Sequence, residues 1–196
     1  MTTLYLLDNV DSFTYNLVDE FAQSGYAVKL YRNTVPAQYI FDKMQQETGP
    51  VLLVLSPGPG APADAGCMPA LLRLVAGHYP VLGICLGHQA ITEHYGGIVG
   101  RAGETVHGKT ASIRVAPHPV FNGLPNPFSV ARYHSLMATE LPDALTCIGT
   151  DRHIPMAVIH EQQRMLGFQF HPESILTTLG KPLLQQSIHY LLRSDG

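Results

Sequence analysis

The sequence predicts an α/β domain with a largely parallel central sheet, helices on both faces and a small antiparallel addition. Three observations carry that expectation. Short, continuous apolar runs alternate with amphipathic helical stretches through the first half of the chain. The junctions between them are rich in Gly and Pro. After Gly96-Gly97 the pattern changes to short strand-like pieces.

Taken in order, Leu4 to Leu7 is a buried strand, and Ser12 to Ser24 is a helix that places Phe13, Leu17, Val18 and Phe21 on one face and closes at Gly25. Ala27 to Tyr31 is the next strand and Ala37 to Gln46 the next helix. Strand Val51 to Leu55 then precedes a helix near Cys67 to Ala76, and strand Pro80 to Ile84 precedes a helix from Leu86 to Tyr95. Beyond this, Ser112 to Val115, Phe128 to Ala131, Ala157 to His160 and Met165 to Phe170 read as strands of the antiparallel addition, and Pro182 to Leu192 as a last helix. Two Pro- and Gly-rich stretches, Ser56 to Gly66 and Ala116 to Pro127, are loops rather than linkers, because strands resume directly beyond them.

A chain of 196 residues fits one domain, read here as 1–196, and is too short for two full-sized catalytic domains. With 12 Lys and Arg against 15 Asp and Glu, and 45% apolar residues, the composition is that of an ordinary globular protein, and no nucleic-acid partner is expected. No basic leader or membrane-spanning apolar run is visible, so a cytoplasmic location without membrane attachment is expected. Cys67, Cys85 and Cys147 are an odd number without CxxC spacing. This argues against a disulfide framework or a structural zinc site and directs attention to a single reactive thiol.

The most informative segment is Val81-Leu82-Gly83-Ile84-Cys85-Leu86-Gly87-His88-Gln89, an apolar strand entering a helix through Gly-x-Cys-x-Gly. It has the form of a nucleophile elbow with sulfur in place of a serine oxygen. A sharp strand-to-helix turn forces its middle residue into a strained conformation, and glycines two residues away on each side relieve the crowding. The first N–H groups of the helix would favour a thiolate. Read alone, the same letters also suit a buried apolar cysteine between packing glycines.

A thiolate needs a base. In Gly167-Phe168-Gln169-Phe170-His171-Pro172-Glu173-Ser174 an apolar strand ends at His171, with a carboxylate two residues on. If the segment is extended, His171 and Glu173 point the same way, so Glu173 can orient one imidazole nitrogen while the other faces sulfur, with Pro172 stiffening the turn between them. An isolated His-x-Glu is also a common solvated surface pair. Leu55-Ser56-Pro57-Gly58-Pro59-Gly60 supplies a stiff turn without side-chain bulk, either a plain surface turn or one whose N–H, with that of Leu86, forms an oxyanion hole.

Together and in this order, Ser56-Pro57-Gly58-Pro59-Gly60, Gly83-Ile84-Cys85-Leu86-Gly87-His88-Gln89 and His171-Pro172-Glu173-Ser174 resemble the three signatures of class I, or triad-type, glutamine amidotransferases. Leu7 to Leu17, His107-Gly108-Lys109 and Arg132-Tyr133-His134-Ser135-Leu136 extend the resemblance over essentially the whole chain. They are similar to the branch serving chorismate-using enzymes, which includes anthranilate synthase component II and the glutaminase subunit of aminodeoxychorismate synthase. Ala65-Gly66-Cys67-Met68-Pro69 and Ala102-Gly103-Glu104-Thr105-Val106-His107 resemble the anthranilate member more closely.

The resemblance implies a flavodoxin-like fold in which Cys85, His171 and Glu173 are catalytic. It also implies that Gly58 and Leu86 provide oxyanion N–H groups within a turn that includes Pro59 and Gly60, and that Gln89, Ser135 and Leu136 hold L-glutamine. It implies no cofactor or metal in this chain. The expected partner is a chorismate-binding anthranilate synthase component I, which carries magnesium, in a heterodimer or heterotetramer. The alternative is an aminodeoxychorismate synthase partner, or one glutaminase shared by both. Two other readings compete: a stand-alone cysteine hydrolase or peptidase on the same fold, which Pro57 to Gly60 and Gln89 count against, and a non-catalytic domain that binds flavin or a protein.

Overall fold

A computed structural model describes residues 1–105 and 107–194. Val106, one of the residues quoted for the resemblance, lies outside them. The first half alternates as expected: β1 (Thr3–Asp8), α1 (Thr14–Gln23), β2 (Ala27–Arg32), α2 (Ala37–Gln45), β3 (Val51–Leu55), α3 (Met68–Val75), β4 (Val81–Ile84) and α4 (Leu86–His94). The second half holds β5 (Ile98–Arg101), β6 (Lys109–Val115), β7 (Phe128–Arg132), β8 (Leu136–Glu140), β9 (Thr146–Asp151), β10 (Ile154–His160), β11 (Met165–Phe168) and α5 (Gly180–Leu191).

Nine strands form one sheet in the order β2-β1-β3-β4-β11-β10-β9-β6-β7. The pairs from β2 through β11 are parallel and those from β11 through β7 antiparallel. The chain moves from β1 out to β2 and then returns to β3 on the other side of β1. Such a reversal opens a crevice at the C-terminal strand ends, where α/β sheets hold ligands. β5 and β8 make a separate antiparallel pair.

Alternation along the parallel strands explains why both faces are covered. Leu4 and Leu6 of β1 join Leu52, Val54, Leu82 and Ile84 in a core with α1 (Leu17, Phe21) and α5 (Leu183, Leu184, Ile188, Leu191). Tyr5 and Leu7 face the other way, toward α2 (Ile40, Met44), α3 (Leu71, Val75) and α4 (Leu86, Ile91). Each fully buried aliphatic side chain of these two layers contributes about 1.5–3 kcal/mol of transfer free energy. A sheet covered this way presents its strand ends, rather than its faces, to a ligand.

Four expectations need correction. The helix expected from Ser12 begins at Thr14, so Phe13 lies at its N-cap and leaves the core face. The strand expected to run to Phe170 stops at Phe168, after which Gln169 N–H bonds to Met156 carbonyl instead of continuing the ladder beside β4. β5, β8 and β9 lie outside the expected elements. Finally, the extended geometry expected for His171 and Glu173 gives way to the turn expected at Pro172: Ser174 N–H returns to His171 carbonyl at 3.3 Å, with Pro172 at the second position, where its fixed φ is suited to a turn.

Candidate active site

Cys85 occupies the junction of β4 and α4. Its N–H bonds to Phe168 carbonyl at 2.7 Å, one residue beyond the β4–β11 register, while its carbonyl accepts from Gln89 N–H and opens the helix. Meeting both demands puts Cys85 at φ 53°, ψ −97°, a conformation that costs a non-glycine residue about 1–3 kcal/mol. The flanking glycines allow the turn to close. A Cβ at Gly83 would fall 2.5 Å from the Gly87 carbonyl carbon, and one at Gly87 2.6 Å from Leu55 Cβ and O. Thus β3, β4 and α4 meet at distances that only hydrogen atoms on Cα permit.

The turn after β3 is held beside this elbow. Asn9 N–H donates to Ser56 Oγ (2.8 Å) and Asn9 Nδ2 to Ser56 carbonyl (2.9 Å), pinning the loops after β1 and β3 together. A Cβ at Gly58 would lie 2.6 Å from Asn9 Cβ and 3.0 Å from Leu86 Cδ2. Leu86 is the first residue of α4, so its N–H has no partner within the helix. Gly58, Pro59 and Gly60 line a cavity of about 190 Å³ with Cys85, Gln89, His134, Ser135 and Leu136. Gln89 Nε2 donates to Leu136 carbonyl at 3.1 Å, joining the helix to the start of β8.

A second cavity, about 510 Å³, also reaches Cys85 and is lined by Val10 to Phe13, Pro57 to Pro59, Tyr133 and His171. His171 Nδ1 lies 2.6 Å from Glu173 Oε1, with side-chain exposures of 3% and 0%, so this is no solvated surface pair. Burial pulls the His171 pKa down, but the Glu173 carboxylate and the Cys85 sulfur outweigh it and raise it above its ordinary value. Phe13 and Tyr133 clasp the imidazole, their ring centroids 5.1 and 5.0 Å from it. By contrast, burial pushes the thiols of Cys67 and Cys147 up and leaves them poor thiolates. All three cysteines are free.

Two further histidines lie close behind. His88, one turn into α4, is wholly buried, and burial, assisted by His134, drives its pKa to about 3. His134 is lowered to about 4 by burial and by Arg132. Its ring is fixed between two partners: Arg132 Nε–H donates to Nε2 at 3.0 Å, and Nδ1–H donates to Leu136 carbonyl at 2.9 Å. Arg132 in turn pairs with Asp151 at 2.9 Å. A buried relay therefore runs from β9 to the Leu136 carbonyl at the cavity edge.

Every residue expected at the site from sequence converges here, with Cys85 lining both cavities. Asn9, Phe13, Tyr133 and His134, which lie in segments that carry the resemblance but have no site role implied by it, join them, as does Gln169. Among the described residues no group of three or more His, Cys, Asp or Glu is arranged to hold a metal ion, and no helix is long and apolar enough to cross a membrane.

Comparison with known proteins agrees with this geometry. The family model described as "Glutamine amidotransferase class-I" matches residues 5–190. Anthranilate synthase component 2 of Vibrio parahaemolyticus is 50% identical over 196 residues, all of both chains. The proteins of the same name from Buchnera aphidicola (subsp. Acyrthosiphon pisum) and Helicobacter pylori are 48% and 44% identical, over 97% and 96% of this chain and 94% and 97% of theirs. Among solved structures, a putative GMP synthase component from Thermoplasma acidophilum superposes with TM-score 0.80 at 24% identity, covering 97% of this chain and 94% of its own. A glutamine amidotransferase from Thermotoga maritima superposes with TM-score 0.76 at 16% identity, covering 98% and 99%. These last two establish a shared fold. On the family match and the full-length identities, the chain belongs to the class-I glutamine amidotransferases.

Proposed function

We propose that this chain is the ammonia-supplying subunit of anthranilate synthase, with Cys85 as nucleophile, His171 as proton carrier and Glu173 as its orienting carboxylate. The observation that carries the chemical part is the meeting of the strained Cys85, the buried His171–Glu173 pair and the Gly58 turn around one crevice. The identity over the full length of relatives named anthranilate synthase component 2 supports the choice of pathway.

In the first step Cys85 Sγ, its proton passed to His171, attacks the side-chain amide carbon of glutamine. The resulting oxyanion faces the N–H groups of Gly58 and Leu86. Collapse breaks the C–N bond, and His171 returns its proton to the departing ammonia. A γ-glutamyl thioester remains. Water then adds to it with His171 as base, and glutamate leaves with the thiol restored. Gln89, Ser135 and Leu136 hold the amino-acid end of the substrate. Because the side-chain bonds of Gln89 to Leu136 and Gln169 both run from its nitrogen, its carbonyl oxygen is the atom left for a ligand's ammonium.

Ammonia is mostly protonated at neutral pH and ammonium is no nucleophile, so the product must pass to a partner before it equilibrates with water. Chorismate and magnesium are assigned to that partner, anthranilate synthase component I, and the complex to the cytoplasm. Val10, Tyr15 and Ile175 are 58%, 61% and 92% exposed, and they sit on the segments that carry the site: the loop after β1, the first turn of α1, and the stretch after Glu173. Apolar side chains left in water there suit a docking face. The test is to mix the chain with a chorismate-binding partner and supply glutamine and chorismate. Fluorescent anthranilate is expected. Aminodeoxychorismate instead would assign the chain to folate synthesis, and full glutaminase turnover with no gain from any partner would refute the subunit role.

A further inference from the structure

Gln169 lies between Phe168 and Phe170 and has no exposure to solvent. Burying a primary amide costs about 1–3 kcal/mol unless its polar atoms are satisfied. They are satisfied by two residues of the site. Its Oε1 accepts from Gln89 Nε2 at 3.2 Å, and its Nε2 lies 3.6 Å from Cys85 Sγ.

The direction of this chain of hydrogen bonds is fixed at its far end. Leu136 presents a carbonyl, which can only accept, so Gln89 must turn its amide nitrogen toward it. The same nitrogen faces Gln169, which therefore presents its oxygen to Gln89 and its N–H to sulfur. His134 Nδ1–H, donating to the same Leu136 carbonyl, reinforces the anchor. A flipped Gln169 would set nitrogen against nitrogen at one end and oxygen against sulfur at the other.

We infer that Gln169 is a further functional residue of this site, an N–H donor to the Cys85 sulfur that stabilises its thiolate and links it through Gln89 to the glutamine pocket. The inference rests on Cys85 being the nucleophile. A donor to a charged acceptor favours the ionised form. The backbone around Gln169 does not depend on its side chain, since its own N–H is bonded to Met156 carbonyl. Substrate bound by Gln89 thus engages the residue that touches the nucleophile.

The test is the pH dependence of Cys85 alkylation by iodoacetamide in the full chain, comparing wild type with Gln169→Met and Gln169→Leu. Loss of the donor should move the alkylation midpoint upward by about one pH unit, which is about tenfold slower labelling below it, and kcat for glutamine hydrolysis should fall about tenfold. A substitution that only loosened packing would not move the midpoint. Unchanged midpoints in folded variants would overturn the inference and leave the nucleophile assignment intact, whereas wild-type glutaminase activity in Cys85→Ala would overturn the assignment itself. If neither variant folds, the wild-type protein decides: the Gln169 side-chain amide resonance should follow the Cys85 titration and lose that step in Cys85→Ala. An amide resonance indifferent to the thiol would refute the contact.

Discussion

Lowering the pH from 7.5 to 5 should cost this protein about 2.5 kcal/mol of folding free energy, with about 4 kcal/mol lost through two histidines behind the nucleophile and about 1.4 kcal/mol regained through a third. His88 and His134 have folded pKa values near 3 and 4 against an ordinary value of 6.5, because burial disfavours their charged forms. Each is therefore neutral in the folded protein and takes up a proton on unfolding once the pH drops below 6.5. The stability this confers is complete above 6.5 and is lost as the pH falls toward the folded values. At pH 5 each group contributes a loss of about 2 kcal/mol, a figure that requires only that both folded values lie below 5. His171 has the opposite sign: its raised pKa means its contribution is complete below 6.5 and is lost as pH rises. On acidification from pH 7.5 that contribution is regained, which offsets about 1.4 kcal/mol of the loss and leaves a net cost of about 2.5 kcal/mol. A domain with typical stability of about 5–15 kcal/mol would give up a substantial fraction of it. Urea unfolding at pH 7.5, 6 and 5, followed by circular dichroism, measures the loss directly, and His134→Gln should shrink it by about 2 kcal/mol. A stability at pH 5 within about 1 kcal/mol of that at pH 7.5 would refute the reasoning.

Replacing Glu173 by Ala leaves the buried imidazole without the carboxylate that orients it and should lower glutaminase kcat about 10²- to 10³-fold, within the range that positioned proton transfer contributes. His171→Ala should be more severe by a further factor of about ten, since the proton carrier itself is gone. Near-wild-type steady-state rates in both would remove the triad. Gly58→Ala should lower kcat and destabilise the protein by about 1–3 kcal/mol, because its Cβ cannot come within 2.7 Å of Asn9 carbonyl oxygen without moving the turn. Wild-type kinetics and melting temperature would show that the turn yields freely.

The parallel half of the fold is legible because β1, β3 and β4 are short apolar runs buried on both faces, while β2, a partly exposed edge strand, follows directly on the helix stop at Gly25. The elbow is legible because closing it forbids side chains at Gly83 and Gly87. β5 and β8 are not. Ile98-Val99-Gly100-Arg101 is short and only half buried, and it pairs with residues some 40 positions later, a contact no local pattern encodes. β9 is interrupted by Gly149 and carries polar Thr146 and Thr150 at its ends, so it lacks an apolar signature. Phe13 misleads for a different reason. Its spacing fits the helical face, but the helix begins one residue later and its ring covers His171 instead. Glu173 does stand beside His171 as its spacing suggests, but the turn at Pro172 replaces the extended geometry that the spacing implies. Gln169 is hidden because a polar residue between two phenylalanines looks like ordinary strand alternation, and only the bonds to Gln89 and Cys85 show where its side chain goes.

The central claim is that Cys85 makes ammonia here for use in another subunit. It is tested most directly by Cys85→Ser in the reconstituted complex, with two activities measured side by side. A serine hydroxyl is a far weaker nucleophile at neutral pH, so glutamine-dependent amination of chorismate should fall by about 10³-fold or more. Amination driven by ammonium salt at raised pH should persist at the wild-type rate, because free ammonia reaches the partner's site without a thioester. If both activities were lost while the complex stayed assembled, or if neither were, the division of labour proposed for these two subunits would be contradicted.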